Sequence, residues 1–159
     1  MAWIAEHLTP EELRLWQRMG RVDQVESLRV ARRFVAATGS AGSDGDTDPV
    51  FVAAALLHDV GKRDCGLGTF RRSVATLVGR TAGPETCRAW IETAGFMRKV
   101  GLYAHHAELG STAVRVAGGR AVVASWAAAH HDPSRWPTDD IPRAVCRALA
   151  LADGERVPD

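Results

Sequence analysis

Apolar residues recur along most of the chain at the three- and four-residue intervals of an amphipathic α-helix. Val25, Leu28, Ala31 and Val35 form one such row, which predicts a helix from about residue 22 to 37. No segment alternates apolar and polar residues over a useful length, so no strand is predicted. The pattern therefore predicts an all-α fold, a compact bundle of about six to eight helices.

Start and stop signals place the remaining helices. Thr9-Pro10 predicts a helix start, because Thr can cap the helix and Pro suits its first position. Pro49 opens a strongly apolar helix that we expect to run from Val50 to about Val60 and to end at Gly61. The Gly-, Ser- and Asp-rich stretch 39–48 predicts a flexible loop. Further helices are expected over about 69–79, 84–99, 103–117, 119–131 and 139–153.

Length and composition fit one folded unit. The chain has 159 residues, of which 46% are apolar and 25% are charged. We expect a single helical domain over 1–159, with its core over about 22–154 and a helical extension over 1–20. Three separated cysteines without a CxxC pair favour a reduced, cytoplasmic protein. The start of the chain lacks a signal pattern and no apolar run reaches a membrane span, so no membrane partner is expected.

The charge of the chain is close to balanced. The net charge of +1 gives no reason to expect a nucleic-acid polymer as partner. Arg outnumbers Lys by 18 to 2. This preference could follow from a biased genome composition, or from contacts with phosphate, whose oxygens match the guanidinium fork. The composition leaves both explanations open.

Five of the six histidines fall in three groups, His58-Asp59, His105-His106 and His130-His131-Asp132. Each group lies at or within an apolar helix, where burial of imidazoles and carboxylates costs free energy unless they are paired or coordinated. A metal ion would remove this cost, because neutral imidazole and ionised carboxylate are both ligands. The alternative is that each histidine is a core residue hydrogen-bonded to the backbone.

The segments around these histidines resemble a known family. The run Leu56-Leu57-His58-Asp59-Val60-Gly61-Lys62 is similar to the signature of the HD superfamily of metal-dependent phosphohydrolases. Later segments resemble further elements in the family's order: His106-Ala107-Glu108-Leu109-Gly110, then His130-His131, then Ala150-Leu151-Ala152-Asp153. The resemblance covers about residues 22 to 154.

The resemblance implies a site for divalent metal ions, two in binuclear members of the family. The first ion would be bound by position 26, His58, Asp59 and Asp153, and the second by Asp59, His106, His130 and His131. The donors would suit Mn, Fe or Mg.

One position departs from the family. The family places a metal-binding His before Ser-Leu in its opening helix, and this chain has Glu26 there. Glu26 would face inward if it shared a row with Val22 and Val30, which are spaced at four residues. The alternative is that Glu26 turns to solvent or pairs with Arg29 or Arg33.

The resemblance implies hydrolysis of a phosphomonoester, nucleotide or similar small phosphate through a metal-activated hydroxide. Asp59 and Lys62 are the expected catalytic residues, and Arg63, Arg71 and Arg72 are further candidate phosphate contacts. Lys62 could instead be a solvated residue at a helix end. Two other functions stay open: a di-iron oxygenase on the same scaffold, and a degenerate domain that binds nucleotide or regulates.

Overall fold

The computed structural model describes residues 1–39 and 48–157, with the backbone alone at 69 and 70. All regular structure in these two ranges is helical, in ten α-helices and two short 3-10 helices, without a strand. The all-α prediction is confirmed, and the ten α-helices slightly exceed the expected six to eight. The loop predicted over 39–48 lies almost wholly outside the described residues.

The ten helices follow one another with short connections. In chain order they are α1 (Ala2–His7), α2 (Pro10–Gln17), α3 (Arg21–Gly39), α4 (Pro49–Leu57), α5 (Thr69–Ala82), α6 (Pro84–Trp90), α7 (Gly95–Ala104), α8 (His106–Val116), α9 (Ala121–Ala129) and α10 (Arg143–Asp153). The 3-10 helices are Val60–Asp64, after α4, and Pro133–Arg135, after α9. No helix in the described part of the chain has the length and apolar character needed to cross a membrane.

Helix α4 is the centre of the molecule. Every residue from Val52 to Leu57 is fully buried, and the helix packs against α3 and α9. This surrounding of α4 explains why its sequence is apolar on every side. The helix ends at Leu57 and the chain continues as a 3-10 helix, so the predicted end at Gly61 is wrong.

Gly61 has a different role from the helix stop that the sequence suggested. A Cβ atom at Gly61 would lie 2.0 Å from the backbone oxygen of His106 and 2.7 Å from the backbone nitrogen of Gly110. Glycine is therefore required because two backbones cross in direct contact. The crossing brings the beginning of α8 next to Asp59.

The segment expected as one helix over 84–99 forms two, α6 and α7. Gly95 begins α7 with a φ of 65°, a backbone conformation that residues with a side chain rarely adopt. A small separate core lies beside α7, formed by Cys65, Leu67, Ala75 and Val100. This core joins α5 and α7 to the 3-10 helix that follows Asp59.

The N-terminal extension packs into the main core through Ile4, Leu15 and Trp16. The predicted start of α2 is confirmed: Thr9 and Glu12 form a reciprocal capping box. The Glu12 carboxylate also accepts hydrogen bonds from the backbone nitrogen of Arg120 at 2.9 Å and from its guanidinium at 2.6 Å. The extension is thereby joined to the turn between α8 and α9.

Candidate metal centre

The ends of four helices, one of them α4, meet at one place in the molecule. His58 directly follows the last residue of α4, and His130 directly follows the last residue of α9. Asp153 is the last residue of α10, whereas His106 is the first residue of α8. His58, His106 and His130 are all more than nine-tenths buried. The chain therefore places imidazoles and carboxylates from four separate segments in one interior space.

Asp59 lies between two groups of donors. Its Oδ1 atom lies 3.2 Å from Nε2 of His106 and 3.6 Å from Nε2 of His130. Its Oδ2 atom lies 3.3 Å from Nε2 of His58, which is also 3.3 Å from Oδ1 of Asp153. We name the two groups the three-histidine half-site (Asp59, His106, His130, His131) and the two-aspartate half-site (His58, Asp59, Asp153).

Three of the imidazoles are oriented by the backbone in the same way. Nδ1 of His58, His106 and His130 lies 2.8, 2.8 and 2.9 Å from the carbonyl oxygen three residues earlier. A carbonyl oxygen can only accept, so each Nδ1 carries the hydrogen. In the neutral ring, Nε2 then has a lone pair that points into the site. This is the arrangement that protein metal sites use to fix a ligating histidine.

His131 completes the three-histidine half-site. Its Nδ1 lies 2.7 Å from Oε1 of Glu155, and its Nε2 lies 3.1 Å from Nε2 of His106. Burial lowers the pKa of His131, although Glu155 acts in the opposite direction. In the neutral ring the hydrogen lies on Nδ1, so two nitrogen lone pairs face each other across 3.1 Å. A cation between these lone pairs would remove their repulsion.

Three buried atoms at the centre lack a hydrogen-bond partner in the described part of the chain: Nε2 of His58, Oδ1 of Asp59 and Nε2 of His130. A buried polar atom left without a partner costs about 1–3 kcal/mol. In the three-histidine half-site, one donor atom from each residue lies within 4.8 Å of the others. Three imidazoles and one carboxylate are a donor set that first-row divalent metals bind. The residues present therefore fit a metal ion.

Electrostatics favour the protonation states that a metal ion needs. Burial alone would raise the pKa of Asp59, but the charge of His58 and the close imidazoles of His106 and His130 outweigh it and hold that pKa well below its usual range. Asp153 also has a lowered pKa, because the neighbouring His58 imidazole outweighs burial. Burial lowers the pKa of His130. His58 differs: burial is outweighed by Asp59 and Asp153, so its pKa is raised and a metal must displace its proton.

A cavity of about 670 Å³ opens onto this centre. Lys62, Tyr103, His106 and His131 line its inner end, and small residues of α5 contribute to its wall. Such a volume suits a small molecule. The Tyr103 ring stacks on His106, with ring centroids 5.8 Å apart.

Six of the seven predicted metal ligands come together in the structure, and Glu26 does not join them. The Glu26 carboxylate forms an ion pair with Arg29, and its side chain is 43% exposed. Val22, which was expected to share an inward row with Glu26, is 59% exposed. Helix α3 instead turns Asp23, Ser27 and Val30 toward the interior. The expectation that Glu26 is a ligand is thus corrected in favour of the alternative, a pair with Arg29.

Lys62 lies at the centre, as the sequence suggested, whereas Arg63, Arg71 and Arg72 do not. Lys62 Nζ lies 2.5 Å from Oδ2 of Asp59, whose charge outweighs burial and raises the pKa of Lys62. Arg63 pairs with Asp64, and Arg71 is exposed.

Arg72 forms a bidentate ion pair with the buried Asp23. The expected phosphate contacts of Arg63, Arg71 and Arg72 are corrected, because none of the three lines the cavity.

The cavity has lining residues that sequence reasoning missed, among them Arg80, Tyr103, Arg135 and Glu155. Exposed arginines are common on protein surfaces, so no local signal distinguished Arg80 and Arg135. Glu155 lies beyond the end of α10, and only the tertiary fold brings it to His131.

Comparisons with models of known protein families, with curated proteins and with solved structures gave no significant match. The resemblance to the HD superfamily therefore rests on the motif residues themselves.

Proposed function

We propose that this protein is a metal-dependent phosphohydrolase that acts on a phosphomonoester, nucleotide or similar small phosphate. One observation carries the proposal: Asp59 lies among inward-facing imidazole nitrogens, with buried atoms left without partners, where a cavity of about 670 Å³ opens. The order of the motifs, which resembles that of the HD superfamily, supports the same chemistry.

Each group at the inner end of the cavity has a task in this reaction. A divalent metal held by Asp59 and the histidines would polarise a phosphoryl oxygen and lower the pKa of a water molecule. Lys62 lines the cavity and keeps its positive charge, so it neutralises charge on the phosphate. Glu155 orients His131, and Tyr103 packs on His106, which fixes both rings before substrate binds.

The proposal includes the kind of partner and the place of action. The partner is a small phosphorylated molecule, because the cavity is small and the net charge of +1 does not favour a nucleic-acid polymer. The three cysteines are buried and free, which fits the reducing conditions of the cytoplasm.

A second candidate function follows from Glu26. Because this residue pairs with Arg29 and stays half-exposed, the two-aspartate half-site has one donor fewer than the family pattern. A domain that binds metal and nucleotide without turning it over, as a regulatory module, would fit this loss.

Hydrolysis of a phosphomonoester panel, including nucleoside monophosphates, tests the proposal. Wild type would be loaded in turn with Mn²⁺, Zn²⁺ and, without oxygen, Fe²⁺. We expect phosphate release that His130→Leu abolishes, because that variant lacks an imidazole at the centre. Lys99→Met is the matched control, since Lys99 donates a hydrogen bond to the backbone oxygen of Gly66 and does not line the cavity. Metal-loaded wild type that releases no phosphate would contradict hydrolysis and favour the regulatory candidate.

A further inference from the structure

The Lys62 ammonium contacts the Asp59 carboxylate oxygen that a second metal ion would need as a ligand. Its ammonium is 2.5 Å from Oδ2 of Asp59, and its side chain is only 15% exposed. The same oxygen is the Asp59 donor of the two-aspartate half-site, 3.3 Å from Nε2 of His58. A divalent ion bound there would lie next to an ammonium in a buried space, where like charges repel strongly.

The two half-sites also differ in their donors. The three-histidine half-site offers four donors whose ligand atoms lie within 4.8 Å of one another. The two-aspartate half-site offers three, from His58, Asp59 and Asp153, because Glu26 is held by Arg29. Fewer donors and a neighbouring ammonium both weaken binding of an ion there.

Charge balance leads to the same result. The carboxylates at the centre are those of Asp59, Asp153 and Glu155, which together bring three negative charges. With the imidazoles counted as neutral, one divalent ion and the Lys62 ammonium neutralise these three charges. A second divalent ion would leave two positive charges in excess within a buried site, which is costly before a substrate is present.

We propose that the centre holds a single divalent metal ion, bound at the three-histidine half-site, and that the Lys62 ammonium takes the place of the second ion on Asp59. This inference rests on the metal dependence of the proposed function and differs from the two ions that the family resemblance implies. Asp59 is then a ligand through Oδ1 alone, while Oδ2 holds Lys62 at the wall of the cavity. Lys62 presents to the phosphate the positive charge that a second ion would otherwise supply.

Titration of the metal-free protein with Mn²⁺, followed by calorimetry and electron paramagnetic resonance, tests this inference. Wild type is expected to bind one equivalent, with the spectrum of an isolated ion. Lys62→Met removes the ammonium with little change in length, so we expect it to bind two equivalents with a spin-coupled spectrum. Lys99→Met, at the only other lysine of the chain, is the control and is expected to stay at one equivalent.

Two further variants locate the ion. His130→Leu is expected to abolish binding, whereas Asp153→Asn is expected to keep one equivalent. Two equivalents in wild type, one or fewer in Lys62→Met, or loss of the ion in Asp153→Asn but not in His130→Leu would each overturn the inference. Wild type that binds two ions and releases phosphate would overturn the inference alone. Absence of Mn²⁺, Zn²⁺ and Fe²⁺ binding in folded wild type would instead overturn the proposed function and the inference with it.

Discussion

Glu12 and Asp59 are both buried carboxylates, and they differ in how the chain holds them. Glu12 is fully buried and accepts hydrogen bonds from the backbone nitrogens of Thr9 and Arg120 and from the Arg120 guanidinium. Asp59 is 8% exposed and lies among imidazoles, yet its Oδ1 atom lacks a hydrogen-bond partner among the described residues. The first carboxylate is satisfied by the chain, whereas the second is not.

On the proposed function, this difference separates a carboxylate that holds the fold together from one that binds a ligand. A buried carboxylate with all its hydrogen bonds made can hold two segments together, as Glu12 joins α2 to the turn before α9. A buried carboxylate with an unpartnered atom lowers stability unless a ligand supplies the missing contact. A site that lowers the stability of the free protein is therefore a place where a bound ligand is expected.

The largest expected effect is stabilisation of the Asp59 region by metal. At a free metal concentration about 1,000 times Kd, binding to the folded state alone adds about 4 kcal/mol to the free energy of unfolding. Thermal unfolding of metal-free and metal-loaded protein measures this gain. We expect it in Lys99→Met and not in His130→Leu. A wild-type Tm that does not respond to Mn²⁺, Zn²⁺ or Fe²⁺ would contradict the functional role of Asp59.

The next effect in size concerns Glu12. Glu12→Gln leaves the half-buried Arg120 guanidinium without its counter-charge, which we expect to lower the free energy of unfolding by about 3 kcal/mol. Glu11→Gln is the matched control, because the Glu11–Arg14 pair is exposed and contributes less than about 1 kcal/mol. Urea unfolding measures both. The affinity for metal should stay unchanged, and a loss of metal in Glu12→Gln would break the distinction between the two regions.

Acid removes part of the stability that ionised Glu12 contributes to the fold. Burial opposes ionisation of Glu12, but hydrogen bonds from Arg120 and Thr9 outweigh it and lower its pKa below 4.5. A lowered folded-state pKa gives stability that is present above the unfolded pKa and is lost as pH falls through the folded value. Urea midpoints should therefore fall more steeply in wild type than in Glu12→Gln below about pH 4.5. Parallel curves would show that Glu12 has no such role.

The smallest expected effect is that of His130→Leu without metal. Nε2 of His130 is buried and unpartnered, so its removal relieves a cost that offsets the lost bond from Nδ1 to Ala127. We expect the free energy of unfolding of the metal-free protein to change by less than about 1 kcal/mol. Urea unfolding in chelator measures this value. Destabilisation as large as that of Glu12→Gln would mean that His130 is a structural residue.

Sequence patterns predicted those parts of the molecule that local chemistry determines. The start of α2 follows from Thr9 and Pro10, whose effect on the helix needs no tertiary contact. His58 and Asp59 were found because they stand at the end of an apolar helix, whereas Asp153 was named only by the family resemblance; the fold brings the three together.

Features that depend on the rotation of a helix or on distant partners were not predicted. A small difference in the rotation of α3 decides whether Glu26 faces the interior, and spacing alone gave the wrong side. Glu12 and Arg120 are 108 residues apart, so no local pattern connects them. The requirement for glycine at position 61 comes from the crossing with α8, which only the packed structure shows.

The most direct test of a metal centre at Asp59 is the metal content of the protein purified without added metal. Elemental analysis of wild type and His130→Leu, prepared side by side, measures it. We predict one equivalent of a first-row divalent metal in wild type and only a trace in the variant. Wild type without metal, or equal metal in both proteins, would contradict the assignment of the buried, unpartnered atoms around Asp59 to a metal ion.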